Sequence, residues 1–188
     1  MSTCAASMSG SRTRGAMTAR VRILVAVAMA TIALAPACTV AEERNLAAAG
    51  NGAQVIKYTS EQGGEWRVGK LIDEHPAPGG WASARDPLPQ EIVVRLAAPS
   101  RFNTLVFNLD SGAPEMEWAR DVSVYAADPF PTMGGWRLVA SVRLDPHASD
   151  QVFSVAPAEG RFIRLLITAA QSPDAERVSL GQFKLFWR

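Results

Sequence analysis

The segment "DVSVYAADPFPTMGGWRLVASVRL", residues 121–144, contains two runs of alternating apolar and polar residues, separated by a turn rich in proline and glycine. Alternation with a period of two predicts β-strands with one buried face, because successive side chains of a strand point to opposite faces. The segment therefore predicts two strands joined by a turn. The residues of the second run predicted to share the buried face are Trp136, Leu138, Ala140, Val142 and Leu144.

Residues 91–96 alternate in the same way. Further strand candidates are residues 54–59, 102–109, 151–156, 161–168 and 178–187. Of these, 102–109 and 161–168 are apolar on both faces, as expected for strands near the middle of a sandwich. The breaks between them, such as "DSGAPE", "DPHASD" and "QSPDAE", contain the residues that favour tight turns. Many short strands with this punctuation are typical of two packed antiparallel sheets. The predicted fold class is all-β, an eight-stranded antiparallel β-sandwich of the jelly-roll type.

The N-terminus has a different character from the rest of the chain. Residues 1–22 carry four arginines and no acidic residue, and residues 23–37 are apolar apart from Thr31. A basic region followed by a short apolar region and small residues predicts a secretory signal peptide over residues 1–37. The alternative is a retained membrane anchor. It is less favoured because a bilayer core of about 30 Å requires about 20 apolar residues, and this run is shorter.

Cys38 directly follows the small residues "APA" and resembles the lipidated cysteine of bacterial lipoproteins. Two alternatives stay open: lipidation at Cys38, or ordinary cleavage that leaves Cys38 as a free terminal thiol. We expect a short leader at 38–48 and the folded domain at 49–188. The expected location is the bacterial cell envelope, periplasmic or membrane-anchored.

The charge and cysteine content of the predicted mature chain exclude several kinds of protein. Removing residues 1–37 takes four of the 19 basic residues and none of the 18 acidic ones, which leaves a net charge of −3 without a basic stripe. Nucleic-acid binding is therefore not expected. The chain has no cysteine after Cys38, so neither an internal disulfide nor a cysteine metal site is expected.

The stretch "KLIDEHPAPGGWAS", residues 70–83, contains one of the two histidines of the chain. Its acidic neighbours Asp73 and Glu74 would alternate in direction, and no nucleophile motif or set of zinc ligands accompanies His75. We interpret the stretch as a turn that seats Trp81 in the core, and the recurring "GGW" predicts the same core position for Trp136. No catalytic residue is predicted, and an enzyme is the least favoured class.

Seven motifs in order carry a resemblance to a known family, among them "LID…GGWAS", "PQEIVVRL", "GGWRLV" and "RFIRLLIT…VSLGQFKLF". Over residues 45–188 the chain resembles the discoidin-type (coagulation factor V/VIII C-type) domain of the galactose-binding-like superfamily. The resemblance implies an eight-stranded sandwich with ligand loops at one end. It also implies a binding module rather than an enzyme.

The resemblance also implies a candidate structural calcium site, because Asp73 matches the position of a calcium ligand in the family. Gln182 stands where the family has a glutamate, and Glu74 where it has a glycine. Since calcium prefers six to eight oxygens, the missing carboxylate leaves two alternatives. Either Asp73, backbone carbonyls and the Gln182 amide oxygen bind calcium, or the loop forms without a metal.

The expected function is recognition of carbohydrate through loops at one end of the sandwich; the alternative is a protein–protein adaptor at the cell envelope. Sugar binding on such a sandwich calls for exposed aromatic faces with polar neighbours. The candidate ligand-binding residues in the predicted loops are Trp118, Phe130, Trp66, Arg85, Asp86 and Arg120.

Overall fold

The computed structural model describes residues 43–75, 77–86 and 88–188, and these residues form eight strands and three short 3₁₀ helices. No helix within the described ranges is long and apolar enough to span a membrane. The 3₁₀ helices are Ala49–Asn51, Val68–Ile72 and Glu115–Glu117. The strands are β1 Gln54–Tyr58, β2 Trp81–Ala82, β3 Gln90–Asn108, β4 Ala119–Ala127, β5 Arg137–Arg143, β6 Asp150–Ala170, β7 Ser179–Leu180 and β8 Gln182–Phe186.

The two long strands β3 and β6 organise the sheet. They pair with each other antiparallel along their length, with β1 on the outer side of β3, and β4 followed by β5 beyond β6. The second half of β3 pairs with β8 on its other side. The chain therefore forms a five-stranded part and a three-stranded part, both of which contain segments of β3 and β6.

The sequence predicted four strands where the structure has these two. Residues 91–96 and 102–109 both belong to β3, and residues 151–156 and 161–168 both belong to β6. The segments "APS" and "APAEG" produce register shifts in the paired strands, between Arg95 and Ser100 and between Phe102 and Thr104. The turn residues therefore mark bends within strands rather than strand ends.

One hydrophobic core joins the two parts of the sheet. It includes Ile92 and Val94 from the five-stranded part and Leu105 and Leu185 from the three-stranded part, all at most 1% exposed. Because each part turns one apolar face to this core, the architecture is a β-sandwich. This confirms the predicted all-β fold class with its eight antiparallel strands.

The connections between strands gather at two ends of the sandwich. The described residues between β1 and β3 other than β2, together with segments 109–118, 144–149 and 171–178, lie at one end, which we call the Trp66 end. The β4–β5 turn at 128–136 and the bends near 97–100 and 156–161 lie at the opposite end. These two ends position all of the side chains discussed below.

Trp81 occupies the core as the sequence predicted. Its side chain is fully buried, and its indole Nε1 donates to the carbonyl of Ser60 at 3.0 Å. Gly80 makes this placement possible, because a Cβ atom there would lie 2.4 Å from the Leu180 carbonyl oxygen. The loop before Trp81 thus approaches the backbone at β7 more closely than any side chain would allow.

Trp136 is not in the core, and the prediction for it was wrong. The register shift between Val124 and Tyr125 places Val139 in a β-bulge, so Leu138 pairs with Tyr125 and is 59% exposed. Ala140 and Val142 still pack against the core, but the alternation is reversed before the bulge. Trp136 instead packs against Phe130 on the outside of the sandwich. The two rings are in a T-shaped arrangement with their centroids 6.0 Å apart.

The predicted leader is partly a component of the domain. Asn45, Ala47 and Ala48 are buried, and the Asn45 Oδ1 atom accepts hydrogen bonds from the backbone N–H groups of Ala47 and Leu185. Leu46 donates its backbone N–H to the Leu185 carbonyl at 2.7 Å. The packed structure therefore begins before the predicted boundary at residue 49. The signal peptide at 1–37 and Cys38 lie outside the described residues.

Candidate functional site

Two tryptophans at the Trp66 end are held in place by the same loop. The indole of Trp66 donates to the Ser111 carbonyl at 3.0 Å, and the indole of Trp118 donates to the Ala113 carbonyl at 3.0 Å. Both side chains are half-buried. Because each indole N–H is satisfied from the protein side, the partly exposed part of each ring is left as a fixed apolar surface.

The backbone around Trp66 explains its position. The segment 63–66 turns tightly, with the Trp66 N–H donating to the Gly63 carbonyl, and Gly63 and Gly64 both have positive φ angles. The Ala82 N–H then donates to the Trp66 carbonyl at 3.4 Å. The loop that carries Trp66 is thereby attached to the strand that buries Trp81.

A row of polar side chains, Gln62, Arg177 and Glu117, lies at the same end. The Arg177 guanidinium donates to the Gln62 amide oxygen, and its Nε atom lies 3.4 Å from a carboxylate oxygen of Glu117. The Arg177 and Glu117 side chains are only 18% and 16% exposed. A partly buried charged pair keeps a fixed geometry that a fully solvated pair would not.

We call Trp66, Trp118, Gln62, Glu117 and Arg177 the Trp66 site. The backbone joins its parts: Gln62 donates its N–H to the Ala82 carbonyl, and the Ser179 hydroxyl, two residues after Arg177, donates to the Glu117 carbonyl at 3.4 Å. Ser179 also accepts from the Ser111 hydroxyl beneath Trp66. The site thus draws on three connections between strands that are remote from one another in sequence.

Two of the predicted site residues lie near this site, at its exposed rim. Arg85 pairs with Glu176 at 3.0 Å, and both side chains are more than 60% exposed. Asp86 is exposed on the same loop. Their proximity follows from the hydrogen bond between the Ser83 N–H and the Val178 carbonyl.

The other two predicted residues do not join the site. Arg120 lies on β4 and donates to the neighbouring Asp121 carboxylate at 2.9 Å, and within the described residues its guanidinium does not hydrogen-bond to Gln62, Glu117 or Arg177. Phe130 lies in the β4–β5 turn at the opposite end, 5.2 Å from Phe162 between ring centroids. The prediction grouped all six residues at one end, and for Phe130 this is wrong, because β4 carries the chain across the sandwich before residue 130.

Sequence reasoning missed Gln62, Glu117 and Arg177. Each belongs to a different turn, and Gln62 and Arg177 are 115 residues apart. Their sequence context offered only polar and charged residues in predicted turns. Most turns on a protein surface have that composition, so it does not single out a binding site. The fold, rather than any local motif, brings these three side chains together.

Asp73 and Gln182, the predicted calcium ligands, both contact the loop at His75. The Asp73 Oδ1 atom accepts the His75 N–H at 3.1 Å, and the Gln182 Nε2 atom donates to the His75 carbonyl. The neighbouring Glu74 carboxylate accepts from the Asn45 amide at 3.0 Å. The Asp73 carboxylate already accepts the His75 N–H, and the Gln182 amide presents its N–H rather than its oxygen, so these groups fall short of the oxygen shell that calcium prefers. The residues as arranged do not fit the ion, and calcium binding stays an untested prediction.

The described residues show no other arrangement for metal chemistry. No group of three or more His, Cys, Asp or Glu side chains within them converges on a point. His75 is exposed, and its ring contacts only Asp73 among the described residues.

At the level of sequence, no protein-family model and no curated protein matches the chain. Solved structures do match. The chain is similar to the family 32 carbohydrate-binding module of Clostridium perfringens NanJ, solved with galactose, at 15% identity and a TM-score of 0.62, over 77% of this chain and 98% of that one.

Two further structures give the same result. A Clostridium perfringens module, CpGH89CBM32-5, solved with GalNAc-β-1,3-galactose, matches at 18% identity and a TM-score of 0.61, over 76% of this chain and 99% of that one. The chitosan-binding module 1 of a Paenibacillus sp. IK-5 chitosanase/glucanase matches at 20% identity and a TM-score of 0.60, over 76% of this chain and 98% of that one. The chain therefore has the discoidin-type, galactose-binding-like β-sandwich fold of the family 32 carbohydrate-binding modules.

Proposed function

We propose that the chain is a non-catalytic carbohydrate-binding module that holds a glycan at the Trp66 site. The observation that carries this proposal is the pairing of two fixed, half-buried tryptophans with the partly buried row of Gln62, Arg177 and Glu117. It places an apolar surface beside hydrogen-bonding groups, which is the composition of a small-molecule site.

The chemistry of these groups suits a sugar. The C–H face of a pyranose ring can pack on an indole, while its hydroxyls need both donors and acceptors. Arg177 supplies donors, Glu117 supplies acceptors and the Gln62 amide supplies both. The Arg85–Glu176 pair at the rim would add further polar contacts to a longer ligand.

The structural neighbours support the same class of ligand. They are modules solved with galactose or GalNAc-β-1,3-galactose, or named for chitosan. The fold is shared at low identity, so the choice among neutral galactosides and chitosan is left to experiment.

The proposal is tested by titrating residues 43–188 with galactose, N-acetylgalactosamine and chitosan oligosaccharides in a calorimeter. We expect one of these to bind, and Trp66→Ala to weaken it at least about tenfold, because stacked aromatic residues dominate small binding sites. The matched control is Trp187→Ala, which removes a 48% exposed tryptophan at the opposite end.

Equal sugar affinity of the wild type and Trp66→Ala would contradict binding at the Trp66 site. Absence of sugar binding together with co-purification of an envelope protein would instead favour the adaptor function.

We also propose that the module acts in the bacterial cell envelope. This rests on the pattern of residues 1–38 alone. The intact mass of the protein from envelope fractions should correspond to a chain beginning at or near Cys38, and an added diacylglycerol mass would establish lipidation. A full-length chain as the main species would contradict export.

A further inference from the structure

A groove at the opposite end of the sandwich, remote from the Trp66 site, carries two guanidinium groups. It has a volume of about 600 Å³ and lies between the start of β5 and the bend of β6. Its apolar lining residues are Leu138, Val139, Ala156, Pro157 and Ala158. Its polar lining residues are Arg101, Arg137 and Glu159. We call it the Arg137 groove.

Both arginines are positioned by the bend rather than by acidic partners. Arg137 donates to the backbone carbonyl of Glu159, and the backbone of Arg101 pairs with Glu159 in the β3–β6 register. The Arg101 guanidinium also stacks over the Trp187 ring at 4.8 Å. Neither side chain forms a salt bridge with any carboxylate of the described residues.

The positive charge in the groove is only partly compensated. Its lining contains two guanidinium groups and one carboxylate, that of Glu159, and Asp128 lines the adjoining cavity beside Arg137. An arginine fixed by other contacts loses little conformational entropy on binding, and the guanidinium fork matches a carboxylate in geometry. The groove is suited to a ligand that carries a carboxylate.

A peptide strand is disfavoured as the occupant, although strand edges border the groove. Pro157 has no backbone N–H to offer, and the Glu159 carbonyl is already occupied by Arg137. A ligand that docks through ring faces and hydroxyls needs no backbone ladder. The apolar lining, which includes Leu138, Val139 and Pro157, offers a surface on which the C–H face of a sugar ring can pack.

We propose that the Arg137 groove is a second binding site, specific for acidic saccharides, in which Arg101 and Arg137 hold the carboxylate of a uronic acid. The choice of a saccharide rests in part on the proposed function. The location and the charge preference rest on the groove alone. The chain would then bind a neutral sugar at one end and an acidic sugar at the other.

The experiment titrates residues 43–188 with a galacturonate trisaccharide, and with neutral galactose in parallel, at low and at high salt. Galacturonate should bind, and its affinity should fall as salt rises, since the contact is between charges near the surface. Arg137→Gln and Arg101→Gln should each weaken galacturonate binding by about tenfold or more. The matched control is Arg143→Gln, which removes an exposed arginine at the far end of the same strand that forms no salt bridge with the residues the structure describes.

Glu159→Gln makes the test sharper because its effect has the opposite sign. It removes a like charge but keeps the backbone carbonyl that positions Arg137, so galacturonate should bind about two- to fivefold more tightly. This variant also guards against misreading a loss of folding as a loss of binding. Thermal unfolding of each variant is measured alongside.

The Trp66→Ala variant distinguishes sugar binding at the Trp66 site from sugar binding in the Arg137 groove. If both proposals hold, this variant loses neutral sugar and keeps galacturonate. If only the groove is functional, galacturonate binds as expected and no neutral sugar binds to the wild type. Failure of galacturonate to bind, indifference to Arg137→Gln and Glu159→Gln, or equal binding of a hexaglutamate peptide would overturn the acidic-saccharide site.

Discussion

At the residue scale, the two "GGW" tripeptides show how the same local sequence serves different structures. Gly80 lies against the backbone at Leu180 and Gly181, and Trp81 after it is fully buried. Gly135 approaches only the Pro131 side chain, and Trp136 after it lies outside the core. The difference comes from the partner strands, which a tripeptide does not encode.

This difference predicts unequal effects of removing the two tryptophans. Trp81→Ala should reduce the free energy of unfolding by roughly 3–5 kcal/mol, because a fully buried ring is lost. Trp136→Ala should cost about 1–2 kcal/mol, since only the contacts with Phe130 and Arg164 are lost. Urea unfolding of both variants measures the two values. Equal losses would mean that Trp136 is a core residue after all.

The two glycines before Trp81 offer a matched pair. In Gly80→Ala the new Cβ would lie 2.4 Å from the Leu180 carbonyl oxygen, so we expect destabilisation of about 1–3 kcal/mol or more. Gly79→Ala has no atom within 4 Å of the new Cβ and should be close to neutral. Thermal unfolding compares them directly, and a neutral Gly80→Ala would show that the loop does not approach β7 as described.

At the element scale, the strands were predictable and their continuity was not. Alternation, together with apolar runs bounded by turn residues, located every described strand of three or more residues. It could not show that β3 and β6 pass from one part of the sheet to the other, because proline and glycine mark a bulge and a chain reversal alike. The two-residue strands β2 and β7 are too short to alternate.

Bulges also decide how the sheet ends. Both edge strands of the five-stranded part have a register irregularity, at Val55–Lys57 in β1 and opposite Val124–Tyr125 in β5. Such irregularities twist an edge and discourage pairing with other chains. In β5 the bulge is also the reason that Leu138 points outward beside the Arg137 groove.

The N-terminal segment before β1 gives the element-scale prediction. A chain of residues 43–188 should be markedly more stable than one of residues 49–188. The shorter chain loses the buried Asn45, Ala47 and Ala48 and leaves the Leu185 N–H without its Asn45 partner. Chemical denaturation of the two chains tests this, with Asn45→Ala in the longer chain as a single-residue counterpart. Equal stability would place the domain boundary at residue 49.

At the scale of the whole molecule, the sandwich separates two surfaces with different chemistry. The Trp66 end presents fixed tryptophans beside a charged pair, and the opposite end presents Arg101 and Arg137, which form no salt bridge within the described part of the chain. The sequence indicated Trp66 and Trp118 because aromatic residues in turns are conspicuous. It could not assign Gln62, Glu117 and Arg177 to them, since only the closed sandwich makes these turns neighbours.

The five tryptophans provide the most direct test of the central claim, which is glycan binding at the Trp66 site. Each indole N–H gives its own NMR signal, and the five residues are distributed between the Trp66 end (Trp66, Trp118), the core (Trp81) and the other end (Trp136, Trp187). Titration of ¹⁵N-labelled residues 43–188 with the neutral sugar that binds should shift the Trp66 and Trp118 indole signals in a saturable manner and leave Trp136 and Trp187 unchanged. Saturable shifts confined to Trp136 or Trp187, with Trp66 and Trp118 unmoved, would contradict the account.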